Sequence, residues 1–244
     1  MLKADWPAPF HVKTAISTRE GGVSLAPYTG LNLGSHVSDS AQAVAQNRQL
    51  FIQQAAMPAE PFWLNQVHGT ECVVLEQTDF SAGPVTADAS TTKTKGLVSV
   101  VLTADCLPVL FCDAAGTQVA AAHAGWRGLV DGVLEHSLAQ FSDPMTVMAW
   151  LGPAIGPTAF EVGDEVRQAF IAKDAKADAA FISVPGKSGK WLADLYQLAR
   201  LRLRASGVSQ IYGGGFCTYT DPQRFYSYRR DGQTGRMASC IWID

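Results

Sequence analysis

Apolar positions along the chain alternate between a helical and an extended period. Over residues 40 to 55, Val44, Phe51, Ile52 and Ala55 recur at helical spacing behind LNLGSHVSDS, whose serines and aspartates suit an N-cap, so a helix is predicted there. Arg48 falls on or beside its buried face, four residues after Val44 and four before Ile52. Further helices are expected over 128 to 141, 163 to 172 and 192 to 206, the last closed by Gly207. Short apolar or β-branched runs between turn signals predict strands over 72 to 75, 97 to 103, 108 to 111, 118 to 122 and 146 to 150. Residues 12 to 34 read as short extended pieces around the turn Glu20-Gly21-Gly22. Residues 225 to 229 and 238 to 243 flank the glycine-rich DGQTG as in a hairpin. No repeat or composition shift marks a linker, so residues 1 to 244 are expected to form one α/β domain, a layered sandwich with a mixed sheet core flanked by helices.

Composition narrows the function classes. With 47% hydrophobic and 17% charged residues the chain is too apolar for disorder. The 19 Lys and Arg against 22 Asp and Glu give a net charge of −3, which leaves no basic footprint for nucleic acid or an anionic membrane. A small anion held by a few placed arginines stays open. The longest apolar stretch, 97 to 112, is broken by Asp105 and Pro108, so no membrane helix is expected. The start, MLKADWPAPFHVKTAISTREGG, lacks the apolar core of a secretory signal, and a cytoplasmic protein is expected. Five scattered cysteines without a CxxC fit reduced thiols. Nothing in the pattern fixes the oligomeric state, and a monomer is compatible with it.

Three soft or borderline ligands lie at the edges of apolar runs: His68 in NQVHGT, Cys106 in LTADCLPVL and His123 in AAAHAGWRG. Two imidazoles and a thiolate match the three-ligand, one-open-position arrangement of catalytic zinc, which acidifies a bound water. Their separations, 38 and 17 residues, form no local metal motif, so buried small residues are the competing explanation. Asp105, beside Cys106 in an apolar segment, is either a general base, a partner of a ligand histidine, or a turn cap. Arg48 is costly to place inward unless an anion receives its guanidinium, which makes it the first phosphate candidate. Arg127 in GWRG opens a helix where an anion can sit. Arg229 lies in FYSYRRDGQTGR, where alternation turns at most one of Arg229 and Arg230 toward a cleft; His36 in NLGSHVSD is a further substrate-binding candidate.

Taken in order, STREGGVS, LNLGSHVSD, QNR, NQVHG, ADAS, TADCLPVLFCD, HAGWRG, LGPAIGP, FEVG, CTYT and FYSYRRDGQTGRMAS closely resemble the YfiH family across nearly the whole chain. Members of that family have been called laccase-domain proteins or polyphenol oxidases. They are now treated as purine nucleoside phosphorylases with adenosine deaminase and methylthioadenosine phosphorylase activity. The resemblance implies a layered α/β sandwich and a zinc held by His68, Cys106 and His123.

The older label asks for many histidines in His-x-His pairs, whereas this chain has five isolated ones; copper can still enter a site of two histidines and one cysteine. Neither HxE nor PCxxC of the cytidine-type deaminases occurs. The resemblance therefore leads to one pocket with two chemistries: phosphorolysis of purine nucleosides by phosphate, and hydrolytic loss of the adenine amino group. Arg48 would hold phosphate and Asp105 would move a proton. Competing readings are a metal-free hydrolase with Cys106 as nucleophile, a copper-dependent polyphenol oxidase, and a non-catalytic binder of nucleotides or cell-wall precursors.

Overall fold

The computed structural model describes residues 1–76 and 83–244, and its layers follow from strands apolar on both faces. A six-stranded mixed sheet runs in the order β11 (Gln210–Gly213), β7 (Val147–Leu151), β5 (Leu107–Asp113), β6 (Val119–Ala124), β3 (Ala89–Thr92), β2 (Cys72–Val74). Its edge pairs are parallel and its inner pairs antiparallel. A second sheet, β1 (Val12–Ile16), β12 (Met237–Ile243) and β4 (Ser99–Thr103), is antiparallel throughout.

Period-two alternation sorts the side chains. In β5, Val109 and Phe111 face helices α2 (Trp126–Asp131), α3 (Val133–Leu138), α4 (Asp164–Lys173) and α5 (Leu195–Ala205), while Leu110 and Cys112 face the second sheet. In β12, Ile241 and Ile243 meet the large sheet, while Cys240 and Trp242 pack toward α1 (Ala41–Ala55). The result is four layers: α1, small sheet, large sheet, helices. A strand covered on both sides has no polar face, which is why β5 and β6 read as nearly unbroken apolar runs. A further small sheet, β8 (Glu161–Gly163), β10 (Lys190–Ala193) and β9 (Phe181–Ser183), flanks α4.

The mixed α/β layering agrees with the expectation, but several boundaries need correcting. The helix expected over 128 to 141 is two helices, α2 starting at Trp126 and α3 following Gly132, whose φ of 111° breaks the run. The helix expected from 192 begins at Leu195, because β10 occupies the preceding residues and the Asp194 carboxylate caps Gln197 N–H at 3.0 Å. The hairpin around DGQTG is absent. Residues 225 to 227 are irregular, and α6 (Tyr228–Asp231) is a single turn capped by Ser227. The apolar pair at its entrance misled the reading: Phe225 and Tyr226, both fully buried, are adjacent and not alternating, and they pack with Met237. Among the described residues, no helix is long and apolar enough to cross a membrane.

Candidate metal centre and its pocket

Strand direction gathers the ligands. β5 and β3 both run antiparallel to β6, and β2 runs parallel to β3, so the starts of β2, β3 and β5 meet the end of β6. Cys106 stands immediately before β5, His123 near the end of β6, Asp88 immediately before β3, and His68 in the loop that leads to β2. Four positions scattered over 56 residues therefore share one end of one sheet.

His68, Cys106 and His123 place a ligand atom each within 4.8 Å of one another. Cys106 Sγ lies 3.7 Å from His68 Nε2, and the two imidazole rings are 4.8 Å apart and steeply inclined. Two of the local backbone angles are unusual: His68 has φ 61° and Asp105 φ 93°. Left-handed conformations at non-glycine residues cost about 1 to 3 kcal/mol each and persist only where the surroundings enforce them. Glycines supply the space. A Cβ on Gly125 would stand 2.7 Å from His68 Cδ2 and 3.1 Å from Cys106 Sγ, and one on Gly128 would stand 2.7 Å from the Gly69 carbonyl oxygen.

Asp88, fully buried, is the anchor of this arrangement. Its Oδ1 accepts from His123 Nδ1 at 2.8 Å and from the His68 backbone N–H at 2.9 Å; its Oδ2 accepts from the N–H groups of Gly69 at 2.7 Å and Val67 at 3.1 Å. One carboxylate thus fixes the tautomer of one histidine and the loop that carries the other, leaving His123 Nε2 free to face the thiol and a ligand. Burial alone would raise the Asp88 carboxyl, but the hydrogen bonds from His123 and the backbone hold it below its ordinary range. Gln66 completes the clamp, its amide bonding both the N–H and the carbonyl of Leu102 in β4. Burial also opposes ionisation of Cys106, yet His123 and His68 outweigh it and lower the thiol; burial likewise opposes the charge on His123, and Cys106 and Asp88 outweigh it and raise that imidazole. A thiolate beside two imidazoles, oriented from behind by a carboxylate, is the donor set of a divalent metal site, and these residues fit one.

The cluster opens into a cavity of about 400 Å³ whose wall includes His36, Gln66, Leu102, Thr103, Tyr228 and Arg236. Of the substrate-binding candidates from sequence, His36 stands on this wall, where burial first and then the charges of Arg236 and Arg48 lower its pKa and keep it neutral. Arg48 lines a different cavity, with its guanidinium 3.9 Å from the centre of the Trp63 ring and Nε donating to the Leu33 carbonyl at 3.1 Å. It braces the segment that carries His36. Arg127 is exposed and stacks on Trp126 at 4.4 Å. Arg229 lies on α6, not on a strand, and donates from Nη1 to the Glu161 carbonyl at 2.7 Å.

Asp105 is buried, but both of its oxygens are occupied: Thr218 Oγ1 donates to one at 2.6 Å and the Arg229 N–H, at the start of α6, to the other at 2.7 Å. It ties the Cys106 loop to α6. Sequence reasoning passed over Asp88, Gln66, Tyr228 and Arg236. For Asp88 a signal existed, an acid bounded by small apolar residues in TADAS; for Arg236 none did, because it reads as the far side of a turn.

A family model described as multi-copper polyphenol oxidoreductase laccase matches residues 13–244. The chain is 56% identical, over all of its length and 98% of the relative's, to purine nucleoside phosphorylase YfiH of Escherichia coli strain K12. It is 50% identical to a purine nucleoside phosphorylase of Pseudomonas aeruginosa, over 99% of this chain and 98% of that one. Among solved structures, Neisseria meningitidis protein NMB0706 superposes with a TM-score of 0.93 at 52% identity, over 100% of this chain and 98% of that one.

Proposed function

The chain belongs to the YfiH family, the one described as multi-copper polyphenol oxidoreductase laccase, and from that premise we propose that it is a purine nucleoside phosphorylase with a single metal centre. The observation that carries the reading is the end-to-end similarity to phosphorylases of that name in a chain whose His68, Cys106 and His123 converge on one cavity. The substrates are a purine nucleoside and phosphate. A multicopper oxidase is disfavoured by ligand supply, since five histidines and one three-ligand cluster among the described residues cannot house several coppers. We take zinc as the ion, with copper able to enter the same set of two nitrogens and one sulfur.

In phosphorolysis a phosphate oxygen bonds to C1′ of the ribose while the C1′–N9 bond breaks, its electron pair leaves with the purine, and the base takes up a proton. Positive charge develops on the sugar and negative charge on the base, so the site must hold an anion on one side and stabilise the leaving group on the other. A divalent ion held by His68, Cys106 and His123 supplies Lewis-acid chemistry at that place. Asp88 holds the two histidines in register, neutral His36 presents a ring N–H to the substrate, and Tyr228 offers an aromatic face at the mouth. Hydrolytic loss of the adenine amino group is a second activity we assign to the same pocket. Asp105, with both oxygens engaged, acts there as a positioning residue.

One observation favours a second reading. Cys106, His123 and Asp88 are arranged as a nucleophile, a base and an orienting acid, which is the requirement of a metal-free cysteine hydrolase. The deciding experiment supplies the zinc-loaded protein with inosine or adenosine, with and without phosphate, and separates the products. Free base and ribose 1-phosphate formed only when phosphate is present, lost on chelation and restored by zinc, is the expected result. Zinc-loaded protein that releases no base in the presence of phosphate refutes the reading; turnover that survives chelation supports the cysteine hydrolase.

A further inference from the structure

Arg236 stands on the wall that faces the ligand cluster, and its surroundings differ from those of the half-buried arginines that are ion-paired. Arg167, Arg202 and Arg230 each meet a carboxylate within 4 Å, at Asp178, Glu135 and Asp231. Arg236 meets none among the described residues. The carboxylate whose charge reaches it, Asp105, spends its oxygens on Thr218 and the Arg229 N–H. The Cys106 sulfur supplies the largest favourable charge, but among the described residues neither it nor Asp105 makes an ion pair or hydrogen bond with the guanidinium, so this cation, drawn partly out of water, is placed to receive an anion from outside.

The side chain is also held in advance. Nη1 donates to the carbonyls of Thr234 at 2.9 Å and Gly235 at 3.0 Å, and the backbone N–H of Arg236 donates to Asn32 Oδ1 at 2.9 Å. Its stem lies over Gly34, where a Cβ would stand 2.7 Å from Arg236 Cγ. With Nη1 tied down, the edge formed by Nε and Nη2 donates to nothing among the described residues, and that edge is the planar fork that grips two oxygens of a phosphate. Burial weakens its hold on the proton only from a very high starting value, so it stays charged.

We infer that Arg236 is the residue that binds the phosphate nucleophile, gripping two of its oxygens through Nε and Nη2 and turning a third toward the ribose carbon beside the His68, Cys106 and His123 cluster. Arg48, held by Trp63 and Leu33 and lining a different cavity, contributes field rather than contact. The inference rests on the phosphorylase reading for the identity of the anion. The anion site itself rests on the geometry of Arg236.

The test compares zinc-loaded wild type with Arg236→Gln and Arg236→Lys. In wild type, KM for phosphate and the rise in Tm on adding inorganic phosphate are measured. Arg236→Gln should raise KM for phosphate by roughly 10- to 100-fold and abolish the phosphate-dependent Tm rise, with KM for the nucleoside within about twofold and zinc content unchanged. Arg236→Lys, which keeps the charge and loses the fork, should fall between, and it carries the test if the Gln variant fails to fold. An unchanged KM for phosphate in both variants, or a rise confined to the nucleoside, overturns the inference while leaving the phosphorylase reading intact. If wild type shows no phosphorolysis yet gains Tm from phosphate only when Arg236 is present, the reading falls and the anion site stands.

Discussion

The two walls of the cavity are built in opposite ways. On the ligand wall the groups that set the geometry are partnered within the protein: Asp88 accepts four hydrogen bonds, Gln66 clamps Leu102, and glycines at 125 and 128 let loop and helix close to contact. On the facing wall His36 and Tyr228 are exposed and Arg236 has one edge of its guanidinium unpaired. A metal centre needs geometry fixed to a fraction of an ångström before the ion arrives, so its wall is over-determined. A substrate wall must exchange protein partners for ligand atoms at every turnover, so its polar groups are left unspent.

The largest test of that contrast removes a ligand. Cys106→Ala leaves two imidazoles, too few for a tight site, and should reduce bound zinc below stoichiometry and slow phosphorolysis on the order of a thousandfold, the several kcal/mol a Lewis acid supplies. Cys106 is partly exposed and outside the core clusters, so Tm of the chelated variant should match that of chelated wild type. Near-stoichiometric zinc in the variant would mean that the cluster is not the metal centre.

Asp88→Asn probes the same wall from behind. All four of its bonds are acceptances, and an amide has only one acceptor atom, so in either orientation two donors face an NH2. Zinc affinity should fall by about 10- to 100-fold, with about 1 to 3 kcal/mol lost from the stability of the chelated protein. A chelator competition and a urea titration measure the two separately. Full zinc affinity with lowered stability would make Asp88 a purely structural residue and would remove the argument that the ligand wall is preset.

How much of this was legible in the sequence divides along the same line. His68, Cys106 and His123 stand out as soft ligands at the ends of apolar runs, because few residue types do that chemistry. Asp88 hides, since an aspartate before a strand is the commonest of turn residues and only its partners, 19 to 35 residues distant, give it meaning. Arg236 hides more deeply. FYSYRRDGQTGR alternates well enough to imitate a hairpin, while the Phe225 and Tyr226 pair is buried by contacts with Met237 and with the carbonyls of Tyr28 and Thr29, some 200 positions away. Long-range packing decided the local structure there, and with it the direction in which the arginine points. For the end of α5 the local signal sufficed, since beyond Ser206 the left-handed Gly207 closes it, but its start was expected three residues early because the pairing of β10 with β8 and β9 is long-range.

The smallest effect is expected at Tyr228, and it is the most discriminating for the open wall. Tyr228 is 61% exposed and stands at the mouth with its ring centre 6.0 Å from the Arg236 guanidinium carbon, and its hydroxyl makes no hydrogen bond among the described residues, so little in the free protein holds that placement. An aromatic face held out to solvent beside a cavity is suited to stacking on a purine, worth about 1 to 3 kcal/mol per base. Tyr228→Ala should therefore raise KM for the nucleoside by roughly 5- to 50-fold, with zinc content, KM for phosphate and Tm near wild type, and Tyr228→Phe should restore most of the loss. If both variants raise KM for phosphate instead, the ring serves Arg236 and not the base. If neither variant changes either constant, the exposed face is idle and the cavity takes its base from the opposite side.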